Sequence, residues 1–326
     1  MWKRCAANFA VPIVDWILAP LVFMAATLMK VVRRLGIWRM PVSKVIFNRV
    51  GIYPIRDHYY EPMFNYPAHL FRSLHEERHL PGIDMNEVAQ LALLARFDYA
   101  DELKRLPRTP SDGASFYYNN PNFAEGDAEC LYSLIRLYKP KRIIEIGSGF
   151  STLMAHGAVE QNRREDAAYR CRHICIEPYE MGWLNDVSGI EVLRQRVEQM
   201  DKQLFLELGE NDILFIDSSH VIRPQGDVLC EYLEILPTLR SGVLVHIHDI
   251  FTPRDYLDHW LIDEVKLWNE QYLLEAFLSC NAQFEIIAAL NFLRHRHPVE
   301  LAAKFPMLGE NIAHAEPGSF WIRKIV

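Results

Sequence analysis

Two short stretches concentrate the residues able to do chemistry. In DILFIDSSH, residues 212–220, an apolar run ends in Asp217, and Ser218, Ser219 and His220 follow. In LVHIHDIF, residues 244–251, a second apolar run carries His246, His248 and Asp249. If each run is a buried strand, Asp217 and the pair His248–Asp249 stand at strand tips. Side chains alternate across a strand, so Val245 and Ile247 oppose His246 and His248. Tips brought to one sheet edge would gather carboxylate and imidazole. Oxygen-rich donors with one imidazole suit Mg2+, Mn2+ or Fe2+ better than structural zinc. Asp217, His248 and Asp249 are therefore the candidate metal ligands. His246 lies one pleat deeper, where a core or supporting role is expected. Asp212 begins its run, at the wrong end of the sheet, and is expected as a turn residue.

A ligand-holding turn is readable upstream. In EIGSGFST, residues 145–152, Gly147 and Gly149 bracket a sharp turn after a strand, where a missing side chain lets the backbone approach a ligand. Ser151 and Thr152 can open the next helix, whose free N–H groups favour a polar ligand. The stretch lacks the third glycine of the full dinucleotide fingerprint and the lysine of a phosphate-binding loop. In ICIEP, Glu177 ends another strand, and its carboxylate can accept both hydroxyls of a ribose.

These residues need a framework. After Pro140, apolar runs (RIIEIG, HICIEP, DILFID, GVLVHIH, FEIIAAL, SFWIRKI) are separated by helical patterns (STLMAHGAVEQN, QGDVLCEYLEILPTL, IDEVKLWNEQYLLEAFLS). Strands alternating with helices predict an α/β, Rossmann-like fold: a mostly parallel sheet with helices on both faces, binding ligands at its C-terminal strand ends. Upstream, residues 85–106 have helical spacing and read as one helix or two short ones, PRTPSDGAS is a break, and EGDAECLYSLIRLYK is a further helix.

Half of the 326 residues are apolar and the formal charge is −7. No global basic surface is implied, so nucleic acid is not an expected partner. The six Cys are dispersed and complete no zinc signature, which suggests reduced, buried thiols and a cytosolic working domain. The N-terminus is the compositional outlier. Residues 9–29 carry one charge, Asp15. As a helix they would span about 30 Å, close to a hydrocarbon core. Lys3 and Arg4 precede the run, and Lys30, Arg33, Arg34 and Arg39 follow it. That heavier C-terminal flank would keep the main domain cytoplasmic, attached to the cytoplasmic membrane. A spanning or re-entrant anchor, an interfacial helix and a buried or oligomer-forming helix all fit, because Pro12, Pro20 and Asp15 interrupt the run. The expected organisation is a hydrophobic membrane-associating segment over 1–40, a helical extension or lid over 41–124, and the sheet domain over 125–326.

The succession IIEIGSGFSTLMAHGA, ICIEP, DILFIDSSH and GVLVHIHDIF resembles a class I S-adenosylmethionine-dependent methyltransferase, over about 125–326. The resemblance implies S-adenosylmethionine as cofactor. It implies that Glu145, Gly147, Ser148 and Gly149 form the cofactor turn, that Glu177 holds the ribose hydroxyls, that Asp217 borders the cofactor, and that a loop near Val197–Gln199 borders the adenine. Catechol-type metal-dependent O-methyltransferases place an Asp at the end of the fourth strand and an Asp–Asn pair at the end of the fifth. Asp217 and His248–Asp249 fall there, with a His replacing one carboxylate. Macrolide-sugar O-methyltransferases carry an Asp-x-x-His-like element with the His as general base, which nominates His220 in DSSH as the catalytic base. The implied reaction is O-methylation of a small or lipid-linked acceptor, assisted by Mg2+ or another divalent cation. A metal-dependent hydroxylase-like enzyme and a non-catalytic membrane-associated scaffold are the alternatives on the same fold. A membrane surface and a homo-oligomeric partner are also in view. The acceptor is expected under the extension, with Tyr117, Tyr118, Asn119 and Asn120 lining a lid and Asp57, His58, Tyr59, Tyr60 and Glu61 forming a second cluster. Arg294, His295, Arg296 and His297 would either meet an anionic substrate or form a solvated basic loop.

Overall fold

The computed structural model describes residues 2–55, 70–110, 114–179 and 182–326, with the backbone alone over 2–10. The cluster at 57–61 lies outside the described residues. Two compact units emerge, 1–71 and 72–326. This division cuts through the expected extension at 41–124. Its later part joins the second unit because Leu93, Leu94, Phe97, Leu103, Phe116, Tyr118 and Phe123 are buried in that unit's core.

In the first unit, α1 (Trp2–Leu35) runs on through Pro12 and Pro20. Its stretch Val11–Leu35 is long and apolar enough to cross a membrane, and none of it is buried among the described residues. A short 3-10 turn, Ile37–Arg39, leads to α2 (Pro41–Val50). Pro41 suits the first helical position, and Gly51, at φ 77°, closes the helix in the left-handed conformation that glycine adopts freely.

The second unit is built on seven strands: β1 (Arg142–Ile146), β2 (Arg172–Ile176), β3 (Ile190–Leu193), β4 (Ile213–Ile216), β5 (Leu244–Ile247), β6 (Phe284–Ala289) and β7 (Phe320–Lys324). Their order is β3-β2-β1-β4-β5-β7-β6. β1 to β5 pair in parallel, and β7 runs antiparallel to both β5 and β6. Every residue of β4 and β5 is buried, as expected for runs covered on both faces. Each Ile, Leu or Val so buried contributes about 1.5–3 kcal/mol. β3 is short and half-exposed at the sheet edge, so its residues give no apolar run to read.

Helices α3 (Glu87–Ala95), α4 (Asp127–Tyr138), α5 (Phe150–Glu165) and α6 (Glu270–Leu278) complete the frame. At the N-terminal edge, Asp212 accepts the backbone N–H groups of Lys141, Arg142 and Gly209, and is the turn residue expected. The pattern read as one helix over 262–279 is helical only from Glu270; before it come a π-helical turn, His259–Asp263, and irregular chain. Val265 there takes φ 54°, which a β-branched residue in a helix cannot. The insertion between β6 and β7 forms three short helices, Leu290–Arg296, Pro298–Lys304 and Pro306–Asn311. Strand order reverses at β1, whose neighbours are β2 and β4, and the crevice outside these strand ends is where such sheets bind ligands.

Candidate active site

Two adjoining cavities occupy that crevice. A smaller one, about 250 Å3, is lined by Gly147, Glu177, Tyr179, Val197, Glu198 and Asp217 among others. A larger one, about 590 Å3, shares Gly147, Glu177 and Asp217 and extends over Ser148, Gly149, His220, His248 and Asp249.

The turn after β1 separates the two. Gly147 takes φ +82°, and a Cβ there would lie 1.9 Å from the Asp217 carbonyl oxygen, so only glycine fits. Gly149 is different: its backbone is extended and a Cβ would meet open space. The Glu177 carboxylate accepts Ser148 N–H at 3.2 Å and Tyr179 N–H at 2.8 Å, which fixes it at the junction of the cavities. Each oxygen keeps a lone pair for a ligand hydroxyl. The Ser148 hydroxyl is buried and, among the described residues, has no hydrogen-bond partner. Glu145, expected at the cofactor, lines neither cavity. It is fully buried beneath the turn, where it accepts the Thr152 hydroxyl at 2.6 Å, and Thr152 in turn accepts Gly149 N–H at 3.1 Å. Glu145 shapes the turn from below, because its position in β1 points it into the sheet face.

The strand tips bring a second set of side chains together. Asp217, His220 and Asp249 each present a ligand atom, and all three atoms lie within 4.8 Å of one another. His220 Nε2 is 3.3 Å from Asp217 Oδ1 and 3.6 Å from Asp249 Oδ2. His248, expected as the third ligand, stands beside this set with Nε2 3.5 Å from Asp249 Oδ1 and Nδ1 buried and unpartnered. Both His220 and Asp249 sit in the left-handed backbone region, at φ 59° and 58°. His246 is fully buried, hydrogen-bonded to the Ser319 hydroxyl at 2.9 Å and stacked 4.0 Å from Phe215, which is the core role expected of it. Burial holds its pKa well below the ordinary histidine value.

Glu270 escaped the sequence reading. Its buried carboxylate accepts His220 Nδ1–H at 2.9 Å and the Tyr232 hydroxyl at 3.0 Å. The hydrogen bond fixes the imidazole so that Nε2 faces the cavity. Burial opposes charge on His220, but hydrogen bonds to Asp217 and Glu270 and their negative charges raise its pKa well above the usual value. Burial likewise opposes charge on Asp217, yet the positive imidazoles of His248 and His220 hold its carboxyl below the usual carboxylate range. A positive charge is therefore favoured between the two aspartates.

The walls of the larger cavity are aromatic: Phe123, Phe150, Trp183, Trp260 and Trp268. Lys266 lies 4.0 Å from the Trp260 ring centre and 4.5 Å from that of Trp268, and Trp268 packs 4.3 Å from His220. Trp268 was missed because the run around Lys266 passes for one helix, and the other walls come from separate segments that no sequence pattern joins. The lid loop also differs in detail. Tyr118 and Asn120 are buried, with Asn120 bracing the loop through Tyr117, Asn122 and Phe123, while Pro121, Asn122 and Phe123 reach the cavity. Arg294 and His295 are bound to Glu316, Arg296 to Glu77 and His297 to Glu87; none of the four lines either cavity, because local carboxylates occupy them.

Comparison with known proteins agrees with this arrangement. Residues 144–250, from β1 to the tip of β5, match the family model for a methyltransferase domain. An uncharacterised protein of Archaeoglobus fulgidus is 30% identical over 168 residues, which cover 48% of this chain and 74% of that protein. Among solved structures, the 1,6-didemethyltoxoflavin-N1-methyltransferase of Burkholderia thailandensis is 12% identical with a TM-score of 0.32, covering 77% of this chain and 94% of its own. A SAM-dependent methyltransferase from Archaeoglobus fulgidus is 14% identical with a TM-score of 0.31, covering 61% and 95%. Neither structural likeness enters the assignment. The family model spans the strand-end motifs, so residues 144–250 of the sheet unit carry a methyltransferase domain.

Proposed function

We propose that this methyltransferase acts on a hydroxyl of a small or lipid-linked acceptor, with a divalent cation at the floor of the larger cavity. The observation that supports this most is the convergence of Asp217, His220 and Asp249 beside the cofactor turn. S-adenosylmethionine, when bound, supplies a methyl group activated on a sulfonium. Gly147, Ser148, Gly149 and Glu177 would hold it; the unpartnered Ser148 hydroxyl and the free lone pairs of Glu177 suit its polar groups. Two carboxylates and an imidazole nitrogen fit a divalent cation that would lower the pKa of an acceptor hydroxyl.

The residues divide the remaining work. His220 Nε2 has one lone pair, so it cannot bind a cation and take a proton at once. We assign it to the cation with Asp217 and Asp249; the charge of a bound cation would disfavour a proton on the neighbouring His248 and leave that imidazole free to take the hydroxyl proton. The aromatic walls favour an acceptor with a planar or apolar body, oriented against the cofactor. The apolar α1 supports attachment to a membrane, where a lipid-linked acceptor would be presented.

Calorimetry with S-adenosylmethionine and a transfer assay with and without a chelator test this reading. Binding in the micromolar range and turnover lost on chelation and restored by Mg2+ or Mn2+ are expected. Full turnover in the chelator would remove the cation. Product formation that needs iron, oxygen and a reductant would favour a hydroxylase instead.

A further inference from the structure

We infer that α2 is a second membrane element, a helix that lies in the headgroup layer of an anionic bilayer at the C-terminal end of α1. The inference rests on the reading of α1 as a membrane anchor and adds a surface to it. Val42, Val45, Ile46 and Val50 follow the spacing of one helix face. Each is more than half exposed, so among the described residues this continuous aliphatic stripe is uncovered. Phe47, off this stripe, is the buried residue of the helix.

What covers the stripe is indicated by charge and by continuity. Between Trp16 and Ile55 the chain has no acidic residue and six cations, Lys30, Arg33, Arg34, Arg39, Lys44 and Arg49, although the whole chain has a net charge of −7. A protein partner of ordinary composition does not require this bias; an anionic lipid surface does. The stripe also begins where the membrane-length stretch ends, after the turn at Gly36 and the exposed Trp38. Trp38 stacks under the Arg39 guanidinium, whose carbon is 4.4 Å from the ring centre. An aromatic ring beside a cation at the end of an apolar helix suits the headgroup level. Arg49 lies among the aliphatic positions, and its long stem lets the charge reach the phosphates while the stem stays with the stripe.

The test uses the full chain on vesicles of phosphatidylcholine alone or with roughly one third phosphatidylglycerol, and reads hydrogen exchange in the peptide covering 41–50. Lys44 and Arg49 together should favour the anionic surface by about 25-fold, at roughly fivefold per cation. The amides of α2 should therefore exchange at least tenfold more slowly on the phosphatidylglycerol vesicles. V42D/I46D should abolish that difference while the chain stays vesicle-bound through α1. A bound chain whose α2 exchanges equally on both vesicles overturns the inference and leaves the anchor standing. Protection that appears equally without vesicles, at high protein concentration, assigns the stripe to a second copy and also overturns it. A chain that binds neither vesicle removes both readings.

Discussion

Two clusters in the sheet unit meet the same donor-distance requirement for a cation, and they behave oppositely. Glu145, His173 and Cys175 lie side by side on β1 and β2; Asp217, His220 and Asp249 lie at the tips of β4 and β5. The first is sealed, with none of its residues more than 3% exposed, whereas the Asp217 side chain is 35% exposed. In the sealed cluster the groups face one another: Glu145 is 3.2 Å from His173 Nε2 and holds Thr152, and burial together with the Glu145 charge pushes the Cys175 thiol far up. In the open cluster the donors face a cavity. Proximity of ligand atoms is thus common to structural and chemical clusters. Access is what separates them.

The largest expected effect falls on the open cluster. D249A should lower turnover by about a thousandfold, roughly 4 kcal/mol of barrier, while S-adenosylmethionine affinity measured by calorimetry changes little. In the sealed cluster the loss should appear as stability. E145A strands the buried His173 and Thr152 and should cost about 3–5 kcal/mol in denaturant unfolding. C175A should leave cation affinity unchanged, and a loss there would erase the distinction. A third effect is pH dependence. His220 has its pKa raised in the folded protein. Its ion pairs therefore stabilise the fold below about pH 6.5, the unfolded value, and that contribution disappears as pH rises through the folded value. A cation must displace that proton, so Mn2+ should bind more tightly as pH rises, by up to about tenfold per unit. Affinity that is flat between pH 6 and 8 would show that His220 is not displaced. The smallest effect is E270Q, which leaves His220 in place but loosens its orientation and should weaken cation binding by about tenfold.

The sheet and the residues at its strand tips were legible because they depend on local pattern. An apolar run that ends in Gly147, Glu177 or Asp217 states both the strand and the residue at its tip. The turn chemistry at Gly147 follows from its own backbone. The aromatic walls of the larger cavity were not legible, because they come from distant irregular chain. Phe123, Trp183, Trp260 and Trp268 share no period, and a left-handed Val265 redirects a segment that otherwise reads as helix. The approach of His220 to Asp217 and Asp249 was not legible for a similar reason. Period-two alternation places His248 correctly in its strand, but the reach of His220 depends on Glu270, fifty residues away in sequence. Local spacing cannot report such a contact.

The left-handed backbone at His220 and Asp249 bears on how this enzyme would respond to engineering. A non-glycine residue held in that region costs of order 1 kcal/mol or more. Glycine at either position would relieve that cost and remove a chemical group at the same time. A screen for heat resistance alone would therefore enrich changes at these two positions and deliver hardy, inactive variants. A screen that also demands turnover would hold both residues fixed and find its gains elsewhere in the sheet unit.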